Sequence, residues 1–391
     1  MSDSDIDRDG PPPSLATIAR EWGRIGSVGF GGPPAHISLL RELCVERRRW
    51  IAPRRFEDAI AATNLLPGPA STQLAIFSAW RLRGAAGAIV GGLGFILPGL
   101  VLILALAALF LGSPPDWVRG AGAGAGAAVA AVALHAGLAL IGPAWRRAQP
   151  TARRRLLAYA LLGGVAAATL GPWLVLVLLG CGLVEAAWRR AGGHAQGLLT
   201  LQPAAVLPLA AASGGLAALG WVAFKVGALS YGGGFVIIPL MQADAVDRYG
   251  WMTNGEFLNA VALGQVTPGP VVHTVAVVGY AAAGMPGALL ASLVAFAPSF
   301  AFVLFGAERF DRLLANRDVR AFLDGAAPAA IGAILGSAIP LALAIDETWQ
   351  VTVLAGAAVA LFLVRRGVVL TLLAAGTVGA AAVVLGAPLS G

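Results

Sequence analysis

Charge is scarce in this chain. Only 12% of its 391 residues are charged, against 58% hydrophobic and a mean hydropathy of +0.79. Soluble domains carry about a quarter charged residues, so the composition excludes an ordinary soluble enzyme and places most of the chain in lipid. Cysteine is scarcer still: Cys44 and Cys181 stand far apart, without partnering histidines or a C-x-x-C spacing. A disulfide scaffold and a zinc site are thereby disfavoured. No Walker sequence, metal-ligand spacing or nucleophile triad occurs, so no metal, cofactor or enzymatic role is expected. The Gly-Ala run at 120–127 contains a GxGxxA string, but it lies in an apolar span without strand pattern, which argues against dinucleotide binding. Small residues at four-residue spacing, such as Gly120 and Gly124, suit a tight helix crossing instead.

The N-terminal tail, residues 1–14, is polar, with Asp3, Asp5, Asp7, Arg8 and Asp9 followed by Pro11, Pro12 and Pro13. It lacks the apolar core of a cleavable signal peptide, so later segments are expected to direct membrane insertion. The formal charge of +7 does not indicate nucleic acid, because the arginines cluster in short loops between apolar stretches. Tryptophans fall near the ends of apolar runs (Trp80, Trp117, Trp145, Trp173, Trp221, Trp251, Trp349), as in an interfacial aromatic belt.

Shifting the sequence by 201 residues superposes Gly26, Trp50 and Phe56 on Gly227, Trp251 and Phe257. The same shift superposes Phe30-Gly31-Gly32 on Tyr231-Gly232-Gly233, and Pro67-Gly68-Pro69 on Pro268-Gly269-Pro270. After a one-residue gap, Gly84, Gly87 and Pro98 meet Gly284, Gly287 and Pro298. The order of these matches implies a tandem duplication, with repeats at 15–200 and 201–391.

Residues 41–56 hold six arginines and the equivalent residues 242–257 hold one. By the positive-inside rule the first loop is cytoplasmic and the second periplasmic, which makes the repeats inverted in topology. Parallel repeats with drifted loop charge are the alternative. Keeping the arginines of 142–155 inside then requires one segment to turn back, and 57–80, broken by Pro67-Gly68-Pro69, is the best candidate. Re-entry of its copy, 258–281, leaves Arg309, Arg312, Arg317 and Arg320 inside, Asp346 and Glu347 outside, and Arg365 and Arg366 inside. The expected fold is an all-α integral membrane protein of two inverted repeats. Four segments are re-entrant or Pro-broken (22–40, 57–80, 221–241 and 258–281). Roughly nine full crossings lie near 84–112, 117–141, 156–170, 172–188, 203–219, 285–306, 324–345, 350–364 and 367–388.

Proline lacks an N–H and clashes with the preceding turn, so Pro-Gly-Pro inside an apolar segment breaks the helix and orphans backbone groups. The helix that starts after the break points N–H donors and about half a positive charge at whatever sits there, which suits an anion. A packing kink is the plainer reading of either motif alone. Gly31, Gly32, Gly232 and Gly233 permit close backbone approach to a ligand or to another helix. Arg24 and Lys225 coincide at the repeat offset and form a candidate cation pair for a dianion; snorkelling to the interface beside Trp22 and Trp221 is the alternative. Asn64, Ser71, Thr72, Gln73, Gln265, Thr267, His273 and Thr274 flank the breaks and can donate to oxyanion oxygens, or simply satisfy the broken helices. His36, His273, Glu57 and Asp58 are candidates for coupling protons.

The set Phe30-Gly31-Gly32-Pro33-Pro34-Ala35-His36-Ile37, Trp50, Leu66-Pro67-Gly68-Pro69, Gly84, Gly87 and Phe95-Ile96-Leu97-Pro98 resembles the N-terminal domain of the chromate transporter (CHR) family. Lys225-Val226-Gly227, Tyr231-Gly232-Gly233-Gly234, Pro268-Gly269-Pro270 and Phe296-Ala297-Pro298 resemble that family's C-terminal domain. The resemblance implies a bacterial inner-membrane carrier that exports chromate and confers resistance, with sulfate as competitor or counter-substrate. It implies no enzyme activity and no cofactor. Its partners are an oxyanion and the lipid bilayer, with a homodimer left open. Gly99 departs from a serine frequent in the family at that position, and the N-terminal tail is idiosyncratic. A sulfate or other oxyanion carrier, a passive anion channel and a membrane scaffold are the competing expectations.

Overall fold

A computed structural model describes residues 13–65, 68–147, 150–170, 173–191, 215–230, 236–306 and 316–389. Among these every regular element is helical. The first repeat runs α1 (Leu15–Val28), α2 (Pro33–Arg41) continued by a π-helical turn (Glu42–Arg47), α3 (Pro53–Leu65), α4 (Ala70–Phe110), α5 (Asp116–Ala127), α6 (Val129–Arg147), α7 (Arg153–Thr169) and α8 (Leu174–Arg190). The second runs α9 (Leu216–Leu229), α10 (Ile237–Gln242) with its own π turn (Ala243–Arg248), α11 (Asn254–Val266), α12 (Thr274–Gly306), α13 (Arg317–Leu343), α14 (Thr348–Ala358) and α15 (Val368–Val384).

The repeat recurs element by element. Helices α1 and α9, the two π turns, and α3 and α11 share their boundaries at the 201-residue offset. The long helices α4 and α12 bend at matched points, Arg83-Gly84 and Ala283-Gly284. Gly84 has φ 58° and ψ −147° and Gly284 has φ 62° and ψ −155°. This backbone region is open to glycine and strained for other residues, so the two glycines fix the bends.

Helix starts follow local chemistry. The Ser14 side chain accepts from the Thr17 N–H, so α1 begins seven residues before the apolar run starting at Trp22. Thr253 and Glu256 form a capping box at α11, and Asn316 caps α13. The stretch 57–80 resolves into α3, the break at Gly68-Pro69, and the first arm of α4. The expected span 117–141 is the bent pair α5 and α6. Among the described residues, four helical stretches are long and apolar enough to cross a membrane: 70–110, 116–146, 271–306 and 317–343. Three shorter apolar helices, 216–229, 348–363 and 368–384, join them. Of the expected span 203–219, residues 203–214 lie outside the described residues, as do Arg309 and Arg312.

The repeats interlock. Helix α4 crosses α12 at the centre, α1 packs on α4 and α9 on α12, while α13 runs along α7 and α8 and α15 runs along α5. Small residues set these spacings: a Cβ on Gly124 would meet the Ala375 carbonyl, and one on Gly163 the Ala329 carbonyl. The expected tight crossing at Gly120 and Gly124 is therefore the seam between α5 and α15. Helix α13, about 40 Å long, starts in an ion-pair cluster. Arg189 bonds both Glu185 (2.9 Å) and Asp324 (2.8 Å), Arg190 bonds Asp318 (2.7 Å), and Arg155 and Tyr159 reach Glu185. Its far end, at Ala344, lines two cavities that also hold the ends of α4 and α7 and the starts of α11 and α14.

Candidate functional site

The second Pro-Gly-Pro break meets the glycine break that ends α1. The Gly269 N–H donates to the Gly29 carbonyl (3.0 Å), a backbone bond from the Pro-Gly-Pro of the second repeat to the glycine break after α1. The same carbonyl accepts from His36 Nε2 (2.8 Å). Because a carbonyl only accepts, Nε2 carries the proton, and in the neutral ring Nδ1 then accepts from Ser71 Oγ (3.2 Å). His36 stands edge-on to Phe95 (5.0 Å between centroids) and His273 edge-on to Phe296 (5.3 Å). Helix α4 threads between the breaks. A Cβ on Gly99 would run into the Pro268 carbonyl and lie 2.8 Å from His273 Cε1, while the Phe95 carbonyl lies under Gly26. Glycine at 99 lets the second break sit directly on α4.

Several polar atoms on the segments at or next to the breaks are buried without a hydrogen-bonding partner. They are Thr72 Oγ1, Ser230 Oγ, Gln265 Nε2, Ser299 Oγ and both ring nitrogens of His273, which has the Ile96 backbone beside it without a bond of normal geometry. Thr72, Ser230, His273 and Ser299 have 0% of their surface exposed. A buried hydroxyl or imidazole left unpaired costs about 1–3 kcal/mol, so these atoms are the candidates for an outside partner.

The sequence-derived candidates divide. Gly68, Pro69, Ser71, Thr72, Gln73, Gln265, Pro268, Gly269, Pro270, His36 and His273 are all buried around the breaks. The Gln73 side chain folds over Gly68. Thr274 is also buried, but its hydroxyl is spent on the Val271 carbonyl (2.8 Å). Gly31 and Gly32 form the turn before α2, with φ 97° and 73°. The side chain of Asn64, and Pro67, Gly232 and Gly233, lie outside the described residues.

The symmetric cations do not form a pair at the centre. Arg24 is exposed, in a small crevice with Glu21, Glu42 and Arg47. Lys225 is 5% exposed and is ion-paired with the buried Asp244, with Trp221 beneath its ammonium. The difference has a local cause: position 43, the repeat equivalent of Asp244, is leucine. In the first repeat the corresponding tie is made by Glu21 on α1, held by Arg47 (2.7 Å) and Arg48 (2.9 Å). Glu57 is engaged by Arg41 at the surface and Asp58 is exposed.

Sequence reasoning missed Ser230, Ser299 and Asp244. The first two carried a signal in the duplication itself, since Ser230 is the counterpart of Gly29 and Ser299 follows Pro298 as Gly99 follows Pro98. Asp244 carried none, because its counterpart is apolar.

A family model described as chromate transporter matches residues 16–186 and 217–380, once per repeat. The chain belongs to the chromate transporter family. It is 32% identical to a chromate transport protein of Cupriavidus metallidurans, over 85% of this chain and 84% of that one. It is 31% identical to a chromate transport protein of Pseudomonas aeruginosa, over 85% and 82%. An uncharacterized transporter of Methanocaldococcus jannaschii is 26% identical, over 88% of each chain. No solved structure matches it. With its long apolar helices, this member of the family is a multi-pass membrane protein.

Proposed function

We propose that this chromate transporter family member exports chromate across a bacterial inner membrane, and so confers resistance, by alternating access between two inverted repeats. The observation that carries the reading is that the second Pro-Gly-Pro bonds Gly29 of the first repeat, whose carbonyl is tied through His36 to Ser71 at the start of α4, while Thr72, Ser230, Gln265 and His273 on these segments keep unpartnered polar atoms. Chromate is a tetrahedral dianion, and so is sulfate. Hydroxyl, amide and imidazole groups can each give it one hydrogen bond, while α4 starting at Ala70 and α12, entered through the 3-10 turn Val271–His273, present N–H groups and the positive end of a helix dipole. Lys225 is neutralised by Asp244, so in this reading the anion is held by dipoles rather than by a countercharge. Such binding is tight enough to select the anion and loose enough to release it.

The inverted arrangement is supported by the arginine asymmetry of the two matched loops, and the duplication it needs by the repetition of the same bends and π turns in both halves. Export gains from an inside-negative potential, since moving two negative charges outward yields about 4.6 kcal/mol per 100 mV. The test is uptake of radiolabelled chromate into energised inverted vesicles, with sulfate competition and collapse of the potential. Saturable, sulfate-sensitive, potential-dependent loading is the expected outcome. Folded, inserted protein that moves sulfate but no chromate would reassign the substrate, and non-saturable flux without trans-stimulation would make it a channel.

A further inference from the structure

A cavity of about 660 Å³ opens at the end of α4, bounded by the starts of α5, α11 and α14 and by the C-terminal segment at Pro388 and Leu389. Two of its walls lead inward to the central breaks. On α4, Phe110 lines the cavity, and Gly99, which touches Pro268 and His273, lies eleven residues earlier. Eleven residues are just over three helical turns, so Gly99 lies on the same face about 16 Å deeper. On α11, Leu258 lines the cavity, and Gln265 with its unpartnered amide lies seven residues on. Seven residues are about two turns, which again keeps the face and goes about 10 Å deeper.

Next to Leu258 in the lining, Asn259 has an Oδ1 atom without a partner. Its side chain is wedged against α5, where a Cβ on Gly122 would lie 2.9 Å from Asn259 Nδ2 and one on Gly126 3.0 Å from Oδ1. The mouth is acidic: Glu256, Asp346 and Glu347 outnumber Arg119, and Arg119 is itself drawn to Asp116 (3.6 Å). A dianion is repelled by such a mouth, which suits a place that anions leave rather than one that gathers them.

We propose that this cavity is the release vestibule of the transporter, reached from the central breaks along the facing walls of α4 and α11, with Asn259 as the polar step in its lining. The inference rests on the oxyanion reading above and adds the route and its direction. The neighbouring cavity of about 500 Å³, bounded by Thr169, Trp173, Gln242 and Asp247, shares the face. Its lining includes no residue of α4 and only the first residue of α11, so it serves as the internal control.

The experiment uses the full chain in oriented proteoliposomes with a membrane-impermeant sulfonate thiol reagent added from either side. Wild type, whose two cysteines are both buried, gives the background. Ser113→Cys at the mouth and Asn259→Cys beside Leu258 are expected to react from one side only. Their modification should lower chromate flux about tenfold or more, because a fixed negative charge then stands in the path of a dianion. Chromate should slow the labelling of Asn259→Cys. Thr169→Cys, in the control cavity, should be labelled with flux unchanged. Asp346→Lys should raise entry of anion from that side about three- to tenfold at low salt, and less at high salt. Complete labelling of Ser113→Cys and Asn259→Cys with unchanged flux would overturn the route, as would an Asn259→Cys that reacts no faster than wild type while Ser113→Cys reacts without consequence. Should wild type move neither chromate nor sulfate, the substrate reading fails, while sided labelling still decides whether the cavity opens toward the breaks.

Discussion

Thr72→Val separates a binding site from a merely imperfect core. Thr72 is fully buried in the first arm of α4 and its hydroxyl has no partner. Valine is close to isosteric, so the substitution removes an unsatisfied polar atom and opens almost no cavity. The free protein should become no less stable, and up to about 1–3 kcal/mol more so, that being the cost of a buried unpaired hydroxyl. The anion complex should lose one hydrogen bond to a charged group, about 1.5–3 kcal/mol, which raises KM or Kd roughly 10- to 150-fold. Thermal unfolding in detergent with and without chromate or sulfate, alongside vesicle flux, reads both quantities. The expected pattern is an equal or higher Tm without ligand, a lost ligand-induced Tm shift, and weakened saturation. A destabilised variant with unchanged KM would mean that the hydroxyl serves packing, and the argument from unpartnered donors would collapse.

His273→Leu should show the same opposed signs more strongly, with stability retained and saturable flux abolished, as read by the same pair of assays. For the buried pair, Lys225→Met alone should destabilise the fold by about 3–5 kcal/mol by stranding Asp244, while Lys225→Met with Asp244→Leu should recover most of that loss. Flux by the double variant then decides whether Lys225 touches substrate; near-normal flux is expected. Arg24→Ala removes an exposed side chain, so its stability should stay within about 0.5 kcal/mol and its flux unchanged; a large rise in KM would return Arg24 to the site. Gly227→Ala places a methyl against the Ala295 carbonyl where α9 meets α12. It should cost about 1–3 kcal/mol and lower the yield of folded protein, measured by size-exclusion in detergent.

Much of this architecture was legible because two strong physical rules act on sequence directly. Lipid demands long apolar helices, so composition alone set the class. Duplication copies chemistry at a fixed offset, so the breaks at Gly68-Pro69 and Gly269-Pro270, the bends at Gly84 and Gly284 and the packing glycines Gly26 and Gly227 all showed in the pattern. The offset misled where it assumed that paired positions do paired jobs. Arg24 and Lys225 match in sequence, yet one faces outward and the other is buried, because Asp244 gives Lys225 a partner that Leu43 cannot give Arg24.

Sequence by itself determined that this chain is helical, membrane-embedded, duplicated and broken at matched prolines, since each property follows from local composition or from repetition. Only the tertiary structure decided which break touches which, from Gly269 to Gly29 across the repeats, and which donors remain unpaired once every nearer partner has been taken. Hydrogen-bond satisfaction is a property of the whole packed centre, where residues more than two hundred positions apart compete for the same few atoms, and no local pattern records the outcome.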